Sequence, residues 1–210
     1  PNPNPSPNQV DAIAPKSKWD DTVANRAKAL AEGSHRPGGA GVKLESVAPV
    51  IEEGVYQYKH VTLSVDEIKR VAELTIRAPE SAQELSADDM FSQGSELWAL
   101  RAYRELDNAI LQLRMNHLEV GLILLKTEGN AEYVLQADRS LLAAATGEAP
   151  HWFAVEVLHN MKRVLKRIDV TSRTFVALIE GSSAYAGSFA ELIWAADRSY
   201  MLDDLDADTP

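Results

Sequence analysis

Two stretches of the chain alternate apolar and polar residues, which is the pattern of a β-strand with one buried face. The alternating apolar positions are Val61, Leu63, Val65, Ala72, Leu74 and Ile76. A short polar segment separates the stretches, and Ala78-Pro79 follows the second, where proline disfavours further strand pairing. The pattern therefore predicts a β-hairpin.

Three longer stretches repeat apolar residues every three or four positions, as amphipathic helices do. The first spans residues 17–33, with Ser17 and Gly33 where helix caps are favoured; the second follows Ser95, and the third starts at His151. The apolar stripes are Trp19, Val23, Ala27 and Leu30, then Leu97, Leu100, Leu106, Ile110 and Leu113, then Phe153, Val157, Met161, Val164 and Ile168.

Two short runs are apolar at every position, which favours strands buried on both faces. They are VGLILL at 120–125 and FVALI at 175–179. A further helix is predicted over 189–196, and a strand from Arg198 to Leu202. Strands that alternate with helices predict an α/β fold.

The remaining segments lack a period. The opening PNPNPSPNQ cannot form a helix or a ladder, so residues 1–16 are predicted to be a disordered, extended tail. Glycines and prolines predict a linker over 34–55, which leads into a main module over 56–202 and an acidic end at 203–210.

Composition and charge narrow the possible partners. The formal net charge of -10 repels phosphate backbones and anionic membranes, so we expect neither nucleic acid nor a membrane as partner. No run approaches the roughly 18 to 20 apolar residues of a membrane span, and the start is not that of a signal peptide. The chain has no cysteine, which excludes disulfides and thiolate chemistry and fits a cytoplasmic location.

Basic residues gather near the end of the third predicted helix. They are Lys162, Arg163, Lys166 and Arg167. At that position they complement the helix dipole; the alternative is a docking patch for an anionic group.

Two kinds of site are disfavoured by spacing. The five histidines are isolated, and no pair has the i, i+4 spacing that places two ligands on one helical face, so no metal site is predicted. The segment GSSAYAG has Tyr185 where the serine-hydrolase elbow requires glycine, which disfavours a nucleophilic serine.

The junction between the last predicted strand and helix is the candidate site. Small residues there, including Gly187 and Ser188, let a ligand approach the backbone, and free N–H groups at such a junction suit a developing oxyanion. Glu191 is then placed to act as a base or to orient water. In the alternative interpretation, Ser188 and Glu191 form a capping box in which the glutamate does no chemistry.

The same segment, AYAGSFAELIWAADRSYM, resembles the crotonase (enoyl-CoA hydratase/isomerase) superfamily, in which a glycine-rich turn precedes Glu-Leu and a helix that ends in Asp-Arg. More narrowly, TEGNAEYVLQADRSLL, the third helix and this segment resemble the second half of ring-cleaving lyases of aerobic benzoate degradation. The resemblance implies a truncated crotonase-like ββα spiral. Residues 17–33 resemble the terminal helix of a preceding crotonase-like module, so the chain is expected to be a fragment.

Matching the motifs residue by residue implies roles for several positions. Leu135 and Gln136 fall where the first oxyanion loop and acyl-CoA contact are expected, Gly187 and Ser188 fall at the second, and Glu191 falls at the acid/base glutamate. Leu135-Gln136 replaces the superfamily's Ala-Gly, and Phe189 replaces a glycine, so a bulkier turn is expected to narrow the thioester pocket. The second catalytic carboxylate is expected outside this chain.

The implied activity is hydrolytic ring cleavage of 2,3-epoxybenzoyl-CoA to 3,4-dehydroadipyl-CoA semialdehyde and formate, with CoA present only as part of the substrate and no other cofactor. Homo-oligomers are usual in the superfamily, and packing against a missing catalytic module is expected. Two alternatives stay open: a non-catalytic module with a structural role in assembly, and hydration or isomerisation of another acyl-CoA.

Overall fold

A computed structural model describes residues 12–34 and 39–203 of the chain. Most of the predicted tail at 1–16 lies outside these described residues. His35 and most of the predicted acidic end at 203–210 lie outside them as well.

The chain divides into two units, residues 1–41 and 42–210. In the first unit, α1 (Trp19–Glu32) confirms the predicted helix. Ser17, the predicted cap, lies instead in a turn of 3₁₀ helix over Lys16–Lys18, and the amino end of α1 has no side-chain cap. Every side chain of α1 is exposed.

The second unit contains strands and helices in alternation. Its strands are β1 (Val50–Glu52), β2 (Val55–Gln57), β3 (Val61–Asp66), β4 (Val71–Arg77), β5 (Leu122–Glu128), β6 (Thr174–Ile179) and β7 (Arg198–Met201). Its helices are α2 (Ala87–Gln93), α3 (Trp98–Asn116), α4 (Ala131–Ala145), α5 (Trp152–Asp169) and α6 (Ala190–Ala195). Within residues 12–34 and 39–203, no helix is long and apolar enough to cross a membrane.

The strands form one mixed sheet whose spatial order, β1 to β7, is the order of the chain. Strands β1 to β4 are antiparallel neighbours, and β4 to β7 run parallel. Helices connect the parallel strands, as parallel pairing requires. The predicted α/β class is confirmed.

Three consecutive hairpins, β1–β2, β2–β3 and β3–β4, form the antiparallel part of the sheet. The predicted hairpin is confirmed as β3–β4, in which Val61, Leu63 and Val65 pair with the apolar residues of β4. A second hairpin, β1–β2, has the two-residue turn Glu53-Gly54 with positive φ at both positions, as a type I′ turn requires. The structure thus places β1 inside the segment predicted to be a linker, because its three residues are too few to show alternation.

The core lies between the sheet and its helices. The apolar stripes predicted for the second and third helices are buried in α3 and α5. Alternate residues of β5, namely Ile123, Leu125 and Thr127, face this core, whereas Leu122 and Leu124 are only partly buried. The expectation that this strand is buried on both faces is therefore wrong for the residues that the structure describes.

Two predicted helix boundaries differ from those of the structure, and two helices were not predicted. Ser95 lies in a 3₁₀ turn over Gly94–Glu96 and does not cap α3, which begins at Trp98. The helix predicted over 189–196 is split into a 3₁₀ turn, Gly187–Phe189, and α6. Helix α4 and helix α2 were not predicted as helices.

Candidate active site at the carboxyl ends of the parallel strands

The loop that follows β6 is fixed against the end of β5. The backbone N–H of Ala184 donates to Thr127 Oγ1 at 3.0 Å, and the Tyr185 hydroxyl donates to the carbonyl of Leu125 at 2.6 Å. Thr127 and Ala184 are both buried. These bonds place the turn at residues 187–189 beside the carboxyl ends of the parallel strands, where α/β proteins commonly bind ligands.

The peptide groups of this turn are held from two sides. The Ser188 N–H donates to Asp138 Oδ2 at 2.5 Å, and the Tyr103 hydroxyl donates to the Ser188 carbonyl at 3.2 Å. Asp138 belongs to α4 and Tyr103 to α3, so the turn links two helices. The Ser188 N–H, one of the predicted oxyanion donors, is therefore bonded to a carboxylate of the chain itself.

Gly187 is required by this arrangement. Its φ of 50° lies in the left-handed region that favours glycine. A Cβ at this position would lie 2.1 Å from Asp138 Oδ2. The missing side chain therefore makes room for the Asp138 carboxylate.

Asp138 is a carboxylate without a cation. Burial raises its pKa, and the hydrogen bond from the Ser188 N–H opposes that rise only in part. In the part of the chain that the structure describes, no basic side chain forms an ion pair with Asp138 or contributes to its pKa shift. Its charged form is therefore stabilised mainly by the backbone of one turn.

Leu135 and Gln136 lie in α4 rather than in a loop. Leu135 is the fifth residue of the helix, where the N–H is normally bonded to the carbonyl four residues earlier. Its side chain packs toward Gly187, at 3.3 Å from the position a Cβ would take there. Leu135 and Gly187 are thus neighbours because the Leu135 side chain packs toward Gly187. They do not present two free N–H groups to a common ligand.

Glu191 is the second residue of α6, and its side chain is exposed. The amino end of α6 has no side-chain cap, and Ser188 Oγ is buried without a hydrogen-bond partner among the described residues. The capping-box interpretation is therefore wrong for this structure. A role of Glu191 in chemistry stays a prediction.

Phe189 fills the core. Its side chain is fully buried and packs against Trp98, with ring centroids 5.5 Å apart. Phe189, which falls where the resemblance implies a glycine, thus lies behind the turn in the core. Its side chain does not narrow a pocket in front of the turn.

A second feature at the same edge of the sheet was not predicted. A cleft of about 360 Å³ lies at the carboxyl ends of β4 and β5 and reaches the first turn of α4. Its polar lining comprises Lys59, His60, Arg77, Glu80, Glu128, Asn130 and Tyr133. Two of these residues, Arg77 and Glu80, flank Ala78-Pro79, which follows the second strand of the predicted hairpin.

A buried ion pair supports this cleft from behind. Glu105 is fully buried; it accepts from the His60 N–H at 2.7 Å and from Arg101 Nε at 2.6 Å. Burial lowers the pKa of His60, and the Glu105 charge opposes this only in part. His60 is therefore neutral at pH 7. The two cations of the lining have acidic partners: Lys59 lies 3.1 Å from Glu96, and Arg77 lies 3.6 Å from Glu128, which also lines the cleft.

Two of the four basic residues near the end of α5 have acidic partners. Lys166 pairs with Asp169, and Arg167 pairs with Asp107 of α3. These pairs favour the helix-end interpretation over a docking patch. Among residues 12–34 and 39–203, no group of three or more His, Cys, Asp or Glu side chains is placed to hold a metal ion.

Comparison with solved structures returns enoyl-CoA hydratases. The chain is 14% identical to an enoyl-CoA hydratase/carnithine racemase from Magnetospirillum magneticum, with a TM-score of 0.45 over 69% of this chain and 47% of that one. It is 21% identical to an enoyl-CoA hydratase from Bacillus halodurans, with a TM-score of 0.43 over 68% of this chain and 50% of that one. No protein-family model matches the chain.

Comparison with characterised proteins is more specific. The chain is 43% identical, over 199 residues and 94% of its length, to benzoyl-CoA-dihydrodiol lyase from Aromatoleum evansii. The predicted resemblance to a lyase is confirmed. The chain spans only 35% of the length of that lyase.

Proposed function

We propose that this chain is part of an enzyme that hydrolytically cleaves the ring of 2,3-epoxybenzoyl-CoA, with 3,4-dehydroadipyl-CoA semialdehyde and formate as products. The observation that carries the proposal is the 43% identity to benzoyl-CoA-dihydrodiol lyase over 94% of the chain. A CoA thioester is an intracellular substrate, so a cytoplasmic location belongs to the same proposal, as does the use of CoA without a further cofactor.

The geometry supports an acyl-CoA ligand in two respects. The cleft and the turn at 187–189 lie at the carboxyl edge of the same sheet, connected by α4. Lys59 and Arg77 would pair with the anionic phosphates of CoA in place of their present partners, Glu96 and Glu128. The acyl carbonyl would then approach Ser188, and exposed Glu191 would manage protons or water.

A non-catalytic role is the second candidate, and a specific observation favours it. Leu135 lies within a helix, so its N–H is not available as the first oxyanion donor, and the Ser188 N–H is bonded to Asp138. In this second candidate, the segment packs against a catalytic module of the longer enzyme and supports its assembly.

A segment exchange tests the proposal. This chain would replace the matching segment of the Aromatoleum evansii lyase, and formate release from 2,3-epoxybenzoyl-CoA would be measured. We expect the exchanged enzyme to release formate, and Glu191→Gln in it to lower turnover about a hundredfold. The matched control is Glu156→Gln, which changes an exposed glutamate of α5.

Each alternative gives a different result. Formate release that is unaffected by Glu191→Gln would favour the structural role for this segment. Hydration of crotonyl-CoA by the exchanged enzyme, without formate release from the epoxide, would favour another acyl-CoA reaction.

A further inference from the structure

We propose that Asp138 is an internal plug, a side chain that occupies the Ser188 N–H and closes the turn to an acyl carbonyl until a ligand displaces it. This inference rests on the proposed function, because it assigns the regulation of the same site. Its structural basis is the 2.5 Å bond between Ser188 N and Asp138 Oδ2.

The plug fills the space in which a ligand oxygen would have to lie. Asp138 Oδ2 accepts a hydrogen bond from the Ser188 N–H. The same oxygen lies 2.1 Å from the position that a Cβ of residue 187 would take. A carbonyl oxygen needs the same N–H at a similar distance. The carboxylate and the acyl group therefore exclude one another.

The charged form of Asp138 is weakly stabilised for a carboxylate that is largely removed from solvent. Asp138 lacks a cationic partner among the described residues, and burial disfavours its charged form. The charged groups that act on Tyr103, which bonds to the same turn, are Asp138 and Glu191, and neither is cationic. A ligand that displaced Asp138 would exchange one hydrogen bond at Ser188 for another, and the carboxylate would regain solvation.

The turn does not depend on the plug for its position. Tyr103 holds the carbonyl of Ser188, and Phe189 is anchored in the core against Trp98. The N–H and carbonyl sides of the same residue are thus bonded to different helices. Asp138 can leave while the turn keeps its anchors on the other side.

Helix α4 connects the plug to the cleft. Asn130 and Tyr133 line the cleft at the amino end of this helix, and Asp138 lies eight residues after Asn130, about 12 Å along the axis. A ligand in the cleft would therefore contact the helix that carries the plug. The structure offers a physical connection between ligand binding and release of Asp138.

The decisive experiment measures the affinity of the chain for benzoyl-CoA and for free CoA by calorimetry, in the wild type, Asp138→Ala and Glu156→Ala. We expect Asp138→Ala to bind benzoyl-CoA about tenfold more tightly or better, because a competing charge-assisted bond is removed. The affinity for free CoA, which has no acyl carbonyl, should stay unchanged. Glu156→Ala, which removes an exposed carboxylate of α5, is the control and should change neither affinity by more than about twofold.

Two results would overturn the plug: an unchanged affinity for benzoyl-CoA in Asp138→Ala, or an equal gain for benzoyl-CoA and free CoA. If no variant binds either compound, the acyl-CoA proposal fails, and the plug is then tested by the Ser188 amide proton in an NMR spectrum. We expect that proton to shift with pH as Asp138 titrates and to lose this response in Asp138→Asn. A Ser188 signal that is indifferent to Asp138→Asn would refute the contact itself.

Discussion

Glu105 and Asp138 are both helix carboxylates that accept a backbone N–H from a distant segment, yet their surroundings differ. Glu105 is fully buried and has a cation, Arg101, in addition to the His60 N–H. Asp138 is half-buried and has the turn at Ser188 but no cation among the described residues. Removing one partner of a buried ion pair strongly destabilises a protein, whereas a carboxylate without a cationic partner loses less when it moves into solvent. The difference separates a structural carboxylate from one suited to move.

The largest expected effect comes from removing the structural carboxylate. Glu105→Ala leaves the Arg101 guanidinium and the His60 N–H without their acceptor, so we expect the free energy of unfolding to fall by about 3 to 5 kcal/mol. Urea denaturation measures this. Glu96→Gln, which removes the exposed partner of Arg101, is the control and should cost less than about 1 kcal/mol. A similar loss in both variants would show that buried Glu105 contributes no more to stability than an exposed partner of Arg101 does.

The next effect concerns the space that Asp138 occupies. Gly187→Ala introduces a Cβ against Asp138 Oδ2 at a φ of 50°, so the variant must accept backbone strain and lose the bond to Ser188. We expect unfolding free energy to fall by about 2 to 4 kcal/mol, of which about 1 to 2 is strain. In an Asp138→Ala background, only the strain should remain. Additive losses in the double-mutant cycle would show that the two residues do not interact.

A smaller effect on stability is expected from the titration of Asp138. Burial raises the pKa of Asp138 above its ordinary value of 3.8, so the unfolded chain loses this proton at lower pH than the folded one. Wild-type stability therefore falls as pH rises from about 3.8 through the folded pKa of Asp138. Asp138→Asn cannot titrate and should escape this fall. Urea unfolding at a series of pH values measures the difference; parallel curves for the two proteins would contradict the prediction.

The smallest effect is expected at a third carboxylate. Glu191 is exposed and α6 has no side-chain cap, so Glu191→Gln should leave the urea midpoint unchanged. The matched control is Ser86→Ala, which breaks the capping box that Ser86 and Asp89 do form at α2 and should lower the midpoint. A loss in Glu191→Gln as large as that in Ser86→Ala would restore the capping role.

Much of the fold could be predicted because periodicity reports burial. The β3–β4 hairpin and the stripes of α3 and α5 follow directly from where apolar residues recur. Helix α4 was missed because the resemblance implied a loop at Leu135. Its own signals were present: Asn130 caps its amino end, and Val134, Ala137, Leu141 and Ala145 recur at helical spacing and are buried.

The candidate site was only partly predictable. The small residues at 187 and 188 correctly indicated a turn after β6, since their backbone conformation is a local property. The bond between Ser188 and Asp138 joins residues 50 positions apart, and only the folded chain brings them together. Glu105 did carry a signal, as a charged residue beside Leu106 on the apolar stripe of α3, because a buried charge needs a partner.

The sheet has one more consequence, which concerns how the chain acquires its structure. Because the strands lie in space in the order in which they occur in the chain, each strand finds its neighbour already synthesised. The hairpins close over short loops and can form early, whereas each parallel strand must wait for its connecting helices. Because the ribosome synthesises the chain from its amino end, the strands would emerge in the order in which they pair. Of these seven strands, β7 would be the last to join the sheet.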